Sequence, residues 1–336
     1  MLSRRDALFR LAGLAVPPLL TSCGVDRLLS PSLGLGNLGP IRLIGGGDPH
    51  VVGPANWMAW KIGDQIKAAL ELDPTAHAFC LGDLVPNGTA QQYADCYAPS
   101  WGRFKDRTLP VMGNHDMQAD STGTPYYDYW DGLGVGERGK GYYVRELGPY
   151  WVCFFLNSQM VRPEQAAWLQ AELPKYAGRH IMAMCHFPFL SNPCNHNGLT
   201  MNMDWPGDAG VGQFVKPLEA AGCELYVAGH CHSYQRTPRV VRNPYNLRSP
   251  TISASGMRQF VVGAAGVKTM TPASIRPLMD ASKTPGGRTI NHVRGVTEFA
   301  LYPDRYEWKF TEVTTTGLGA VRDSGTQACR KQLVTT

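Results

Sequence analysis

Charge is scarce in this 336-residue chain: Asp, Glu, Lys and Arg make up 18% of it, and the formal net charge is +5. No run of like charge stands out, so neither a basic nucleic-acid-binding arm nor an acidic tail organises the molecule. Long apolar runs are missing too. The stretch from Leu11 to Leu20 is half the ~20 residues that a spanning helix needs, and it contains Pro17 and Pro18. No internal repeat is visible, and 37 glycines and 25 prolines follow no G-X-Y period, which excludes collagen-like and low-complexity chains. What remains is 43% hydrophobic and 10% aromatic, enough to bury a sizeable core and the wrong composition for disorder. A loop-rich globular domain fits, with glycine and proline punctuating many short elements.

The N-terminus carries Arg4, Arg5 and Arg10 ahead of the apolar stretch, and Leu20-Thr21-Ser22-Cys23 behind it. A basic start, a short apolar segment and small residues before a cleavage point predict an export signal over 1–22. The Arg pair resembles a twin-arginine signal and Leu20–Cys23 a lipoprotein box. The expected mature protein is therefore periplasmic or at the cell surface, touching membrane only through a lipid anchor at Cys23. Residues 23–40 read as a flexible tether, and 41–336 as a single catalytic domain. With Cys23 lipidated, eight cysteines remain. Cys80, Cys153 and Cys223 lie in or beside apolar runs and are expected as buried thiols, whereas Cys96, Cys194 and Cys329 sit in more polar segments and are the better bridge candidates.

Along the domain, Ile41–Gly46 reads as a strand, and Met58, Ile62, Ile66 and Leu70 mark one face of a helix. Residues 76–81 and 108–112 read as further strands, with a helix expected over 89–105 between them. This βαβαβ rhythm argues for a sheet with helices on its outer faces. Strands follow at 141–147 and 150–156, a helix at 163–173, and strands at 180–185 and 224–228. The tail is strand-rich, with Tyr306, Trp308 and Phe310 alternating with Glu307 and Lys309. Two packed sheets are expected.

Polar residues gather immediately after the strands. The strand ends carry Gly47-Asp48-Pro49-His50, Gly82-Asp83, Gly113-Asn114-His115-Asp116, Cys185-His186 and Gly229-His230-Cys231-His232. Ligands in open α/β sheets bind outside the carboxyl ends of strands, so these five ends are expected to deliver their side chains toward one edge. Each group alone suits a turn. Together, five clusters of metal-ligand type predict a metal site.

This ordered set resembles the calcineurin-like metallophosphoesterases. Further stretches, Gly229–Arg236, Glu164–Leu169 and Gln259–Gly266, resemble their purple-acid-phosphatase branch. The resemblance implies an α/β fold of the α+β kind, a four-layer sandwich of two mixed β-sheets flanked by helices. It also implies two divalent ions, Mn, Fe or Zn, about 3.5–4 Å apart, and hydrolysis of phosphomonoesters by a metal-bridging hydroxide. One ion would take Asp48, His50, Asp83 and His232, and the other Asp83, Asn114, His186 and His230, with Asp83 bridging. His115 would stabilise charge or protonate the leaving oxygen without binding metal. Asp116 would orient His115 or finish the turn, and His196 would reach the phosphate. The substrate implied is a small-molecule phosphate ester; a phosphodiesterase on the same site and a non-catalytic, metal-holding surface lipoprotein are the alternatives.

The chain also departs from the purple branch. That branch has a tyrosine three residues after the second-strand Asp, where this chain has Pro86, and a glycine where it has His50. An imidazole then stands in for a phenolate and brings no negative charge to favour a ferric ion. The metal-replete protein is expected to lack the visible tyrosinate band and to work best at neutral or alkaline pH; a charge-transfer band in its absorption spectrum would contradict this.

Overall fold

Segments such as Trp151–Leu156 and His180–Cys185 are apolar at almost every position, so strands made of them must be covered on both faces. The structure, a computed structural model, meets that demand with two sheets packed face to face. It describes residues 39–333 apart from 54–56, 161, 197–198, 205–206 and 208–209, and of His196 and Met201 the backbone only. All of these belong to one compact unit, Leu35–Thr336. The expected signal, Cys23 and most of the tether lie outside the described residues.

The chain begins with β1 (Ile41–Gly46), α1 (Trp57–Leu72), β2 (His77–Leu81), α2 (Ala90–Gln92), β3 (Thr108–Val111) and α3 (Thr124–Tyr129). Next come β4 (Tyr143–Leu147), β5 (Trp151–Leu156), α4 (Pro163–Glu172) and β6 (His180–Cys185). A small antiparallel pair, β7 (Cys194–His196) and β8 (Leu199–Met201), precedes α5 (Gly212–Ala220) and β9 (Leu225–Ala228). The last third supplies β10 (Tyr234–Val241), β11 (Thr251–Ile252), β12 (Met257–Val262), β13 (Arg288–Ile290), β14 (Gly295–Leu301), β15 (Arg305–Thr314) and β16 (Gly317–Ala328).

Strand order is β16-β15-β14-β1-β2-β3 in the first sheet and β11-β10-β12-β9-β6-β5-β4 in the second, where β13 also pairs with β10. Both sheets are mixed: β1–β3 run parallel, as do β5, β6, β9 and β12, and the outer strands are antiparallel. Alternation along β5 divides its side chains cleanly. Trp151, Cys153 and Phe155 enter the core between the sheets, whereas Val152, Phe154 and Leu156 face Leu169 of α4 and Phe214 and Leu218 of α5. Helix α1 covers the first sheet through Met58, Ile62, Ile66 and Leu70, the face that sequence periodicity marks. This is a mixed α/β architecture of two large sheets with helices outside them.

Two expectations need correction. Residues 89–105 are not one helix: α2 runs into a π-helical turn at Tyr93–Tyr97, and a separate 3-10 stretch, Trp101–Arg107, follows. Pro99 lies between them, lacks a backbone N–H and breaks the ladder. The polar surroundings expected for the bridge candidates hold only in part: Cys194 and Cys329 are buried, and Cys96 is partly exposed.

The sheets interlock through aromatic rings. Phe260 of β12 meets Phe299 of β14 at 5.2 Å and Trp308 of β15 at 5.5 Å, and Tyr234 of β10 stacks on Phe310 at 4.4 Å. Beside them one carboxylate joins the layers. Asp323 on β16 accepts hydrogen bonds from Tyr234 Oη at 2.7 Å, from Arg236 Nε and Nη2 at 2.8 and 3.0 Å, and from Trp308 Nε1 at 3.0 Å. Burial works against its ionisation, but the bonds from Arg236 and Tyr234 outweigh that and lower its pKa. Asp323→Ala leaves a buried guanidinium unpaired and is expected to cost about 3–5 kcal/mol in denaturant unfolding. Because the folded pKa is depressed, the wild-type advantage is full above the unfolded carboxylate value of about 3.9 and fades as pH falls through the folded one. A cost under about 1 kcal/mol at neutral pH would contradict the clasp.

Candidate metal centre

Parallel strands end on the same side, and here the two parallel blocks end facing each other. β1, β2 and β3 of the first sheet deliver Asp48 and His50, Asp83, and Asn114 to Asp116; β6 and β9 of the second deliver His186, His230 and His232. The five groups thus come from two sheets and not from one edge. The sheets are stitched at this point: Gly47 N–H donates to the Val262 carbonyl at 2.9 Å, and Ala265 N–H to the Gly47 carbonyl at 3.1 Å.

Backbone geometry sets this place apart. Of the five non-glycine residues with positive φ among the described residues, four are Asp48, His50, Asp83 and His230. Side chains rarely tolerate that region, and such strain collects at functional sites. The neighbouring glycines let the turns touch. A Cβ on Gly82, whose φ is 82°, would lie 2.5 Å from His186 Nδ1, and one on Gly113 would lie 2.2 Å from Asp83 Oδ1.

The side chains meet in three overlapping groups whose donor atoms lie within 4.8 Å of one another: Asp48, His50 and His232; His50, Asp83 and His115; and Asp83, His186 and His230. Asp83 joins the last two of them, and His50 the first two. Asp83 Oδ2 is 3.3 Å from His50 Nε2 and 3.9 Å from His115 Nε2, while Oδ1 is 3.4 Å from His186 Nε2. Asn114 Oδ1 lies 3.0 Å from the same His186 nitrogen.

Backbone carbonyls fix the tautomers. A carbonyl only accepts, so His186 Nδ1–H donates to Leu81 O at 2.7 Å and His232 Nδ1–H to Lys268 O at 3.2 Å. The Nε2 lone pair of His232 then points at Asp48 Oδ1, 3.6 Å away, while His186 Nε2 faces the oxygens of Asp83 and Asn114. Asp48 Oδ1 is buried and has no hydrogen-bond partner among the described residues. Lone pairs facing lone pairs in a buried site fit a cation between them. The donor set of carboxylate, amide oxygen and imidazole suits a divalent ion such as Mn, Fe or Zn.

Electrostatics agree. Burial pushes Asp48 well above the usual carboxylate range, with repulsion from Asp83 adding to it against the pull of His186. Burial opposes ionisation of Asp83 as well, but His186 and His50 hold it well below that range. Burial alone would lower His186; the Asp83 and Asp48 carboxylates hold it up to about 9. Burial, then the neighbouring His50, lowers His232 to about 3, and burial with His186 lowers His230 well below its ordinary value. Neutral imidazoles at His230 and His232 are the form that binds metal.

Asp116 finishes the turn. Its Oδ2 accepts from Asp83 N–H at 2.9 Å and Gly113 N–H at 2.8 Å, and its Oδ1 from Leu84 N–H at 3.0 Å and Tyr93 Oη at 2.8 Å. These bonds hold the Asp83 backbone; the His115 ring is instead oriented by the Pro86 carbonyl, 2.6 Å from Nδ1. Of the two readings of Asp116, finishing the turn is the one its hydrogen bonds describe. Burial and the Asp83 charge raise it to about 7. Tyr234 and Arg236, which follow the last histidine pair, are committed to Asp323. The His196 side chain lies outside the described residues, though its backbone ends β7. The orienting carbonyls of Leu81, Pro86 and Lys268 went unseen in sequence, since a backbone acceptor has no residue signature.

The sequence model of the calcineurin-like phosphoesterases matches residues 42–234, which include all five strand ends. No curated protein matches the chain. Among solved structures the chain is similar to the purple acid phosphatase PPD1 from yellow lupin (Lupinus luteus) seeds, with a TM-score of 0.65 and 16% identity over 87% of this chain and 54% of that one. It is also similar to GAP50, the anchor in the inner membrane complex of Plasmodium (TM-score 0.62, 11% identity, 88% and 90% of the chains), and to PhoD (0.60, 14%, 87% and 70%). At such identities the likeness is one of fold. This chain spans 54% of the lupin protein.

Proposed function

We propose that this chain, which belongs to the calcineurin-like phosphoesterase family, hydrolyses small-molecule phosphate esters at a two-metal centre. The observation that carries the reading is Asp83, whose two carboxylate oxygens face separate imidazole groups. One ion would be held by Asp48, His50, Asp83 and His232, and the other by Asp83, Asn114, His186 and His230. When bound, such ions offset phosphoryl charge and acidify water near neutral pH.

The remaining work falls to the chain's own groups. His115 is the least buried of the histidines that face Asp83, with 30% of its side chain exposed. Its Nδ1–H is committed to Pro86, which turns Nε2 toward the open side of the cluster. There a protonated ring can donate to the leaving oxygen of the ester. Its backbone N–H donates to Asp83 Oδ1 at 2.8 Å, so the acid and the shared carboxylate move as one piece. Phosphomonoesters are the favoured substrates. A site that only holds metal has no use for an open histidine aimed at it, which weighs against a non-catalytic role. Export and lipidation at Cys23 belong to the same proposal and rest on the N-terminal sequence alone.

Manganese-loaded wild type is expected to turn over p-nitrophenyl phosphate faster than bis-p-nitrophenyl phosphate. His115→Ala should keep its metal content and lose roughly 10²–10⁴ in rate. Faster diester turnover would replace the monoester reading; metal loss in the variant would make His115 a ligand.

A further inference from the structure

The smallest apolar cluster of the fold is mostly sulfur: Cys194, Cys231, Met203 and Met270, closed by Val261. Cys194 opens β7, and Cys231 sits between His230 and His232. Their Sγ atoms are 3.1 Å apart, and neither residue has accessible surface. Each is held in place from its own side. Gln235 Nε2 donates to Cys231 Sγ at 3.0 Å. Cys194 forms a β-bridge with Pro272, and Asn195 N–H donates to the Thr271 carbonyl at 3.1 Å. The same 270–273 segment reaches the other cysteine's turn, where Met270 N–H donates to the His232 carbonyl at 2.9 Å. Two sulfurs held 3.1 Å apart, with the 270–273 segment bonded to the backbone beside each, meet the first requirement for a cross-link, which is proximity.

We propose that Cys194 and Cys231 form a disulfide that ties the β7 segment to the turn carrying His230 and His232. The bond itself needs nothing from the functional reading; its effect on metal rests on that reading. An external disulfide of the glutathione class serves as oxidant. One cysteine thiolate attacks it, releasing one thiol and leaving a mixed disulfide. The second thiolate then attacks the protein sulfur of that mixed disulfide, releasing the other thiol. The two electrons and two protons lost by the cysteines end on the two released thiols. Because both sulfurs are sealed in the finished fold, exchange takes place while the cluster is still closing. The link joins positions 37 apart and fixes the backbone of a metal-ligand turn against the segment that also carries Asn195 and His196.

Peptide mapping tests the bond. The full chain, refolded in oxidised glutathione, is denatured with iodoacetamide and no reductant, then cleaved after glutamate. This separates 173–219, holding Cys185 and Cys194, from 225–298, in which Cys231 is the sole cysteine. The expected product is a joined pair two hydrogens lighter than the sum of its parts, with Cys185 alkylated; Cys185→Ser keeps it and Cys194→Ser abolishes it. Alkylated Cys231 in the oxidised wild type, or a bond to Cys185, overturns the proposal. For the effect on the turn, manganese affinity of oxidised wild type is compared with that of reduced wild type and of Cys194→Ser. Both are expected to bind on the order of tenfold more weakly, as for other groups that orient ligands. Equal affinities overturn the positioning role, whereas no metal binding in any form refutes the two-metal reading and leaves the peptide result standing.

Discussion

Three carboxylates of this protein, Asp48, Asp83 and Asp116, lie buried within one turn-rich junction, and Asp83 stands at its middle. Like charges out of water repel strongly, and the pKa directions of the group show the conflict: Asp83 is held ionised while Asp48 and Asp116 are pushed toward protonation. Hydrogen bonds resolve it for Asp116, whose two oxygens take four donors. Asp48 takes the His230 N–H at 2.7 Å on Oδ2, while its Oδ1 has no hydrogen-bond partner among the described residues and faces a histidine lone pair. Cations placed between the oxygens and the imidazoles would neutralise the remainder. The site makes physical sense as a metal centre and poor sense as a core.

Holding such a junction costs stability. Positive φ at Asp48, His50, Asp83 and His230 stores of order 1–3 kcal/mol at each residue. The surrounding fold has to over-determine those turns, and it does so from both sheets at once. β5, β6 and β9 bury both of their faces, and Phe260, Phe299 and Trp308 interdigitate between the layers. The Asp323 clasp and the Gly47–Val262 and Ala265–Gly47 bonds then fix the height at which the strand ends of one sheet meet those of the other. Packing far from the metal positions is therefore part of the site's geometry, because the ligands belong to different sheets.

Local signals in the chain carried much of this. The apolar strands, the α1 face from Met58 to Leu70 and the polar groups after each strand are short-range patterns, and they mark the cluster within the chain itself. Long-range pairings were opaque. Asp323 lies 87 positions from Arg236, and nothing near it in sequence marks it as an inter-sheet partner. Asp116 reads like a catalytic neighbour of His115, yet its bonds run to the backbone of Asp83, Leu84 and Gly113. Cys194 reads as a bridge candidate in the sequence, but nothing there points to Cys231, 37 positions away, as its neighbour in a sulfur-rich cluster. Patterns within a strand survive in one dimension, and contacts made across the two sheets do not.

The most direct test of the account is anomalous diffraction from crystals grown with manganese, measured on both sides of the metal's absorption edge. The expected map has two peaks about 3.5–4 Å apart with the Asp83 carboxylate between them. One should be flanked by Asp48, His50 and His232, and the other by Asn114, His186 and His230. A single peak, or two peaks that Asp83 does not bridge, would contradict it.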